Sequence, residues 1–132
     1  MNHVPVAIGL VLCEQVIVDV ASRNVTPVNC FRKFGLNEIP GTASFSIVAW
    51  LADGLGEMPV QIIVRGMNSK DEVFRMERLM RFDDPLKDMR FTARIRDCPI
   101  PAAGYYEVVL SADGEFVAHR KFQVFSGGSP HG

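Results

Sequence analysis

Two strand-like runs joined by an Asp-Gly turn constrain the fold of this chain more than any other feature. The first run covers residues 105–110, the turn is Asp113-Gly114, and the second run covers residues 115–125. Asp and Gly tolerate the positive φ angles that a tight reversal requires, and β-branched and aromatic residues flank them. We therefore predict a β-hairpin. Its second strand has no uniformly apolar face, which favours an edge position in a sheet.

The rest of the chain repeats this pattern of short apolar runs between turn signals. Phe91, Ala93 and Ile95 alternate with polar residues, as in a strand with one buried face. Regular short strands are typical of a sandwich or barrel rather than of βαβ units. The sequence predicts an all-β, antiparallel, immunoglobulin-like β-sandwich of about seven to eight strands. The predicted core includes Phe45, Trp50, Ile62, Val64, Phe91, Ile95, Tyr105 and Val108, with Trp50 and Tyr105 as its buried, hydrogen-bonded aromatics.

Two segments have a second interpretation. Residues 71–82 (DEVFRMERLMRF) alternate as a strand with Arg78 as the exception on its apolar face, but they also carry an apolar stripe at helical spacing. The strand-rich context favours a strand, and a helix would change the fold class to α+β. Residues 14–20 fit either a strand or a short helical turn.

Length and composition indicate one domain over residues 1–125, followed by a flexible tail over residues 126–132 (SGGSPHG). The net charge of −1, from 14 basic and 15 acidic residues, gives no global signal for nucleic acid. Cys13, Cys30 and Cys98 are odd in number and contain no C-x-x-C pair. They indicate mostly buried thiols in a reducing compartment rather than a disulfide framework or a zinc site.

The N-terminal apolar run over residues 4–12 is better interpreted as a buried strand than as a targeting segment. No basic residue precedes it, and it is too short to cross a bilayer. We expect a cytoplasmic protein with no membrane partner.

A resemblance covers roughly residues 6–124 and rests on an ordered set of short motifs. They are Leu12-Cys13-Glu14, the strand around residues 25–34, residues 51–57 (LADGLGE), residues 59–62 (PVQI), Phe82 with Asp84-Pro85-Leu86, Pro101, Gly104-Tyr105-Tyr106 and Asp113-Gly114. In this order they resemble a widespread bacterial family of small, immunoglobulin-like β-sandwich proteins of unknown function. Each motif is a turn or core signature, so the resemblance implies a fold but no activity or functional residue.

A catalytic histidine is not predicted. His119 lies within the last predicted strand, and Ser111 and Asp113 lie across the hairpin from it. Neither a nucleophile-elbow signature nor an oxyanion-hole signature accompanies these residues. An exposed strand histidine is the better interpretation.

Metal and phosphate sites are also not predicted. Asp53, Glu57, Asp83 and Asp84 lie in turns from which calcium can take oxygen ligands. Their spacing is not that of an EF-hand, and turns favour Asp and Gly for backbone reasons alone. Gly54 and Gly56 precede a strand rather than a helix, so they do not form a phosphate loop.

Basic residues are concentrated between residues 65 and 96. With Phe74, Phe82 and Phe91 interleaved, they permit single-stranded nucleic acid binding as one interpretation. Seven acidic residues share the segment, so its net charge is only 9 − 7 = +2, and a sheet face laced with cross-strand ion pairs is favoured. The nine basic residues are Arg65, Lys70, Arg75, Arg78, Arg81, Lys87, Arg90, Arg94 and Arg96.

The expected function is a non-enzymatic protein-interaction or structural module without cofactors. Open sandwiches offer strand edges to an unidentified protein partner or to a second copy in a homodimer. The alternative is a small-ligand or carbohydrate-binding sandwich, which needs a concave site with converging polar and aromatic groups.

Overall fold

A computed structural model describes residues 2–127 of the chain as two β-sheets. One sheet has the order β2-β1-β4-β7 and the other the order β3-β9-β8-β5-β6. This architecture confirms the predicted all-β sandwich. The strands are β1 Val6–Val18, β2 Val25–Cys30, β3 Lys33–Leu36, β4 Gly41–Ala52, β5 Gly56–Gly66, β6 Glu72–Phe82, β7 Met89–Ile100, β8 Gly104–Ala112 and β9 Glu115–Ser126.

Nine strands replace the seven to eight that were predicted, and they are not all antiparallel. The segment taken as one strand around residues 25–34 divides into β2 and β3. β2 pairs antiparallel with β1, whereas β3 crosses to the other sheet and pairs parallel with β9. The chain therefore changes sheets at Phe31 and Arg32, between these two strands.

The core lies between the two sheets and is rich in phenylalanine and branched aliphatic side chains. Phe45, Phe91 and Phe122 are among its largest fully buried side chains. Burial of this apolar area drives the sheets together at roughly 25 cal/mol per Å². Six of the eight predicted core residues are confirmed: Phe45, Ile62, Val64, Phe91, Ile95 and Val108.

The prediction that the other two residues, both aromatic, lie in the core was wrong. Tyr105 is 55% exposed, while its neighbour Tyr106 is 4% exposed, because successive strand residues face opposite sides of a sheet. Trp50 is only partly buried. It lies opposite Gly9 in the β1–β4 pair, and a Cβ at Gly9 would be 3.1 Å from Trp50 Cε3. The indole thus occupies the surface space that Gly9 leaves open.

The corner before β8 contains an immunoglobulin-like feature. The Tyr106 hydroxyl donates a 2.6 Å hydrogen bond to the Ala102 carbonyl and accepts one of 3.3 Å from the Ala102 N–H. A tyrosine near the start of a strand that bonds back to the preceding corner is a feature of immunoglobulin domains.

The ambiguous segments are strands. Residues 72–82 form β6, so the favoured strand interpretation is confirmed over the helical one. Arg78, the exception on its apolar face, lies over the Phe91 ring at 4.8 Å and donates to the Thr92 carbonyl. β1 continues to Val18 before the chain turns. The predicted hairpin is confirmed, with φ angles of 52° at Asp113 and 80° at Gly114.

The position of the last strand differs from the prediction. β9 pairs with β8 on one side and, over residues 123–126, with β3 on the other, so the predicted edge position was wrong for that part. Between residues 2 and 127, no strand pairs with residues 115–122 on the β3 side. Ser126 ends β9 and Gly127 N–H donates to the Leu36 carbonyl, so neither is tail. The rest of the predicted tail, residues 128–132, lies outside the described residues.

Candidate functional site

A cleft opens along the side of the sandwich where β9 has no neighbouring strand. It has a volume of about 910 Å³ and lies between β1, the Asn29–Lys33 connection and residues 120–123 of β9. Apolar side chains contribute to its walls, and Tyr105 stands at its rim. The apolar lining residues are Val11, Leu12, Phe31 and Phe122.

The parallel pairing of β3 with β9 builds this cleft. Lys33 is the Cα partner of Gln123, and the Gln123 N–H donates a 2.9 Å hydrogen bond to the Arg32 carbonyl. Phe31 anchors the connection, because its ring packs edge-to-face on Phe45 at 5.6 Å and on Phe122 at 6.3 Å. Edge-to-face pairs of this kind add to the stability gained from burial. The connection is therefore held firmly against β9.

The charged side chains that line the cleft are all cationic. They are Arg32 and Lys33 from the connection, and Arg120 and Lys121 from β9. Arg120 Nε donates to the Leu10 carbonyl at 2.7 Å and so bridges the two sheets. Among the described residues, no carboxylate lines the cleft. Clefts lined by one sign of charge concentrate ligands of the opposite sign.

Two carboxylates beside the cleft have partners of their own. Glu14 Oε2 accepts a 2.7 Å hydrogen bond from Nδ2 of the lining residue Asn29, and the second carboxylate is that of Glu107. Glu107 is the Cα partner of Lys121, but its carboxylate is bound elsewhere on the outward face of the sheet. Arg65 Nε lies 2.8 Å from Oε1, and His119 Nδ1 lies 3.2 Å from Oε2. Glu107 is 6% exposed, so its carboxylate is covered by neighbouring side chains although it lies on the outward face of the sheet.

The electrostatics of Glu107 follow from these contacts. Burial opposes its ionisation, but the hydrogen bond from Arg65, then that from His119, and the charges of both outweigh burial and hold the pKa of Glu107 below its ordinary value. Glu107 was not among the residues predicted from the sequence. The alternation of β8 was the available signal, since it places Glu107 beside Val109 on the outward face.

The histidine candidate has a different partner from the one considered. His119 is opposite Val109 in the β8–β9 pair, and its imidazole pairs with the Glu107 carboxylate rather than with Ser111 or Asp113. The Phe116 ring lies 5.8 Å from the imidazole.

The turn carboxylates serve the backbone or a neighbouring arginine. Asp83 Oδ1 accepts a 2.8 Å hydrogen bond from Arg81, and Asp84 Oδ1 accepts one of 2.9 Å from the Leu86 N–H. Asp53 occupies a turn with φ at 63°, and Glu57 is the Cα partner of Arg81. Within residues 2–127, no three metal-ligating side chains come together. The glycines have packing roles, because a Cβ at Gly54 would lie 2.7 Å from the Phe82 ring.

Of the three phenylalanines interleaved with the basic segment, Phe74 is partly buried. Phe82 and Phe91 are buried in the core. Arg65, Arg75 and Arg81 form ion pairs, of which Arg65–Glu107 joins two neighbouring strands and is of the predicted cross-strand kind. Arg78, Arg90 and Arg94 instead donate to the backbone carbonyls of Thr92, Arg23 and Glu14.

The cysteines differ in exposure. Cys13 and Cys98 are buried as predicted, and Cys30 is exposed and lines the cationic cleft. Burial raises the pKa of Cys98 to about 11, which keeps that thiol protonated and inert.

Comparison with known proteins gives a family but no activity. The profile of a family of unknown function, DUF6941, matches residues 9–125. No curated protein matches the sequence. Between residues 2 and 127, the chain also contains no helix with the length and apolar character needed to span a membrane.

Similar solved structures include an immunoglobulin-like protein from Pseudomonas aeruginosa, at 12% identity, with 93% of this chain and 97% of that chain covered and a TM-score of 0.48. A β-glucosidase from Listeria innocua is similar in two crystal structures. With glucose bound, the identity is 12%, the coverage 75% of this chain and 15% of that chain, and the TM-score 0.43. With isofagomine bound, the identity is 10%, the coverage 92% of this chain and 16% of that chain, and the TM-score 0.45. This chain therefore spans only a small part of the β-glucosidase.

Proposed function

We propose that this chain, which belongs to the DUF6941 family of unknown function, is a non-enzymatic module that binds an acidic, extended segment of a protein partner. The observation that carries the proposal is the cleft beside β9, whose charged lining is cationic throughout. Arg32, Lys33 and Lys121 line this cleft. Glu107, the Cα partner of Lys121, is held by Arg65 and His119, and Glu14 is bound to Asn29. Acidic groups of a partner supply the missing counter-charge.

The backbone of β9 favours a peptide as the occupant. The N–H of Gln123 points towards the β3 side, and main-chain groups alternate between the two sides of a strand. The N–H and C=O of Lys121 and His119 therefore face the side on which residues 115–122 have no strand partner within the described chain. A partner segment that continues the line of β3 satisfies these groups by strand addition.

Nucleic acid fits the same cleft less well. Binding of single strands relies on bases that stack on successive aromatic rings. Of the aromatic residues in the cleft, Tyr105 is exposed at 55%, whereas Phe122 is buried and Phe31 is wedged among core rings. Charge attraction is available to a phosphate chain, but the stacking surface is small.

The test is fluorescence anisotropy with a labelled, strand-length peptide of alternating glutamate and valine, at about 50 and about 300 mM salt. The double variant Arg32→Glu/Lys121→Glu should weaken binding at least ~10-fold at low salt. The matched control Lys87→Glu/Arg96→Glu makes the same charge change at exposed positions outside the cleft and should bind like the wild type. A peptide with alternate backbone nitrogens methylated should bind more weakly, because it cannot pair with the β9 edge.

If both double variants lose peptide affinity equally, the loss reflects net charge alone, and the cleft is not the binding site. Tighter binding of a single-stranded oligonucleotide than of the peptide would overturn the choice of partner. A homodimer seated on the same cleft is the competing occupant. Light scattering would reveal it as twice the chain mass in the wild type and the single chain mass in the Arg32→Glu/Lys121→Glu variant.

The proposal includes a cytoplasmic location. The N-terminal apolar run is part of strand β1, and its Leu10 and Leu12 are buried in the core. A segment on which the core depends is a poor candidate for a cleaved targeting peptide. Fractionation of cells that express a C-terminally tagged chain tests this part, and recovery of the intact chain outside the cytoplasm would contradict it.

A further inference from the structure

Cys13 and Cys30 lie directly opposite each other on neighbouring antiparallel strands. They are Cα partners in the β1–β2 pair. The Phe31 N–H donates a 3.1 Å hydrogen bond to the Leu12 carbonyl, which identifies Cys13–Cys30 as a non-hydrogen-bonded pair. Side chains approach most closely at such positions, where Cα atoms are about 4.5 Å apart. That separation lies within the range of about 4.4–6.8 Å that a disulfide spans.

The two thiols have complementary environments. Cys13 is fully buried, between Cys30 on β2 and Ser46 on β4, and its sulfur contacts the Ser46 carbonyl at 3.7 Å. Burial, and then the proximity of Cys30, raise the pKa of the Cys13 thiol. Cys30 is exposed at the wall of the cationic cleft. One thiol is therefore open to a reagent, and the other is sheltered behind it.

We propose that Cys13 and Cys30 are an oxidation site that forms a reversible cross-strand disulfide by exchange with a small, anionic disulfide of the glutathione type. Arg32, Lys33 and Lys121 line the same cleft as Cys30, and their charges favour approach of an oxidant that carries carboxylates. This inference does not depend on the partner of the cleft, because it rests on the register of β1 and β2.

The exchange proceeds in two balanced steps. Cys30 loses its proton to water, and its thiolate attacks one sulfur of the oxidant. The oxidant's S–S bond breaks, one thiolate leaves, and a mixed disulfide remains on Cys30. Cys13 then loses its proton and attacks the Cys30 sulfur, and the second thiolate leaves. The protein loses two electrons and two protons, and the oxidant becomes two thiols.

The bond would join an edge strand to the interior of its sheet. β2 lies at the end of its sheet and pairs there with β1 alone. A covalent link at Cys13–Cys30 closes the intervening hairpin and limits its freedom in the unfolded chain. We expect the thermal midpoint to rise by about 10 °C on oxidation.

The decisive measurement is peptide mapping of the full chain after incubation with oxidised glutathione and alkylation of the remaining thiols. Trypsin separates Cys13, in residues 1–23, from Cys30, in residues 24–32. The expected product is a cross-linked pair of these two peptides, removed by dithiothreitol, in a monomer that has lost two hydrogens. The Cys98→Ser variant should give the same product.

Single-cysteine variants report on the order of the steps. Cys30→Ser changes an exposed residue and should abolish both the cross-link and the rise in thermal midpoint. Cys13→Ala should retain a stable glutathione adduct on Cys30. The proposal is overturned if the wild type accumulates only that adduct, if the cross-link joins two chains or involves Cys98, or if all thiols remain alkylatable. The wild-type map decides the matter even if Cys13→Ala fails to fold.

Discussion

The hydroxyl of Tyr106 donates a 2.6 Å hydrogen bond to the carbonyl of Ala102, four residues earlier in the chain. This bond ties the connection that follows β7 to the start of β8, and the Tyr106 ring stacks on Phe122 at 5.6 Å. Tyr106→Phe keeps the ring and removes the bond. We expect the free energy of unfolding to fall by about 1–2 kcal/mol, measured by urea denaturation.

Tyr105→Phe is the matched control for this prediction. Tyr105 precedes Tyr106 but faces outward and is 55% exposed, so its hydroxyl is free to bind water. We expect a change within about 0.5 kcal/mol. Equal losses in the two variants would contradict a special role for the Tyr106–Ala102 bond.

A second prediction concerns acid stability. The pKa of Glu107 is lower in the folded protein than its ordinary value of about 4.3. Its contribution is therefore fully present above the unfolded-state pKa and is lost as the pH falls through the folded-state pKa. Glu107→Gln should lower the free energy of unfolding at pH 7 by about 1–2 kcal/mol, and should lose less stability than the wild type between about pH 5 and pH 3.

Urea denaturation across this pH range gives the comparison. Glu115→Gln serves as the control, because Glu115 is an exposed residue at the start of β9. Its stability curve should run parallel to that of the wild type. If the Glu107→Gln curve is also parallel, the ion pairs with Arg65 and His119 do not govern acid stability.

Local sequence patterns predicted the sandwich because its strands are bounded by strong turn chemistry. The Asp113-Gly114 reversal and the alternation of β7 survive in the structure because both depend on nearest neighbours. Tyr105 was misplaced because strand alternation puts it on the face opposite to that of Val108, the other β8 residue predicted for the core, which is buried. Trp50 was misplaced because its space depends on Gly9, which is distant in sequence and opposite in the sheet.

The cleft could not be predicted from local sequence patterns, because residues that are distant in the sequence form it. Its cations come from two short basic pairs, Arg32-Lys33 and Arg120-Lys121, at opposite ends of the chain. The pairs are visible in the sequence, but their meeting requires the parallel alignment of β3 on β9. The sequence instead indicated residues 65–96 as the main basic surface. Six arginines of that segment bind carboxylates or carbonyls of this chain.

A third prediction concerns the side of the sandwich where β6 faces β7. Arg78 lies over the Phe91 ring and donates a 2.8 Å hydrogen bond to the Thr92 carbonyl. Because Arg78 is largely exposed, Arg78→Ala should cost only about 1 kcal/mol. Arg78→Lys should cost less, since an ammonium group retains the attraction to the ring. Denaturant midpoints test this order, and a lysine variant as weak as alanine would contradict a contribution from the cation–π contact.

A fourth prediction distinguishes two reasons why a position requires glycine: lack of space for a side chain and a positive φ angle. At Gly54, a Cβ would lie 2.7 Å from Cδ1 of the buried Phe82 ring, so Gly54→Ala forces the core to shift and should cost about 1–3 kcal/mol. At Gly114 a Cβ meets nothing within 4 Å, but φ is 80°, so Gly114→Ala should cost about 1 kcal/mol through backbone strain alone.

A double-mutant cycle distinguishes these causes. Phe82→Leu removes part of the ring that an alanine at position 54 would strike, so the Gly54→Ala/Phe82→Leu pair should be less destabilised than the sum of its single variants. Gly114→Ala/Phe82→Leu should be additive, because a Cβ at Gly114 meets nothing within 4 Å and therefore does not touch that ring. Additivity in both pairs, measured by urea denaturation, would show that Gly54 is not required by the packing of Phe82.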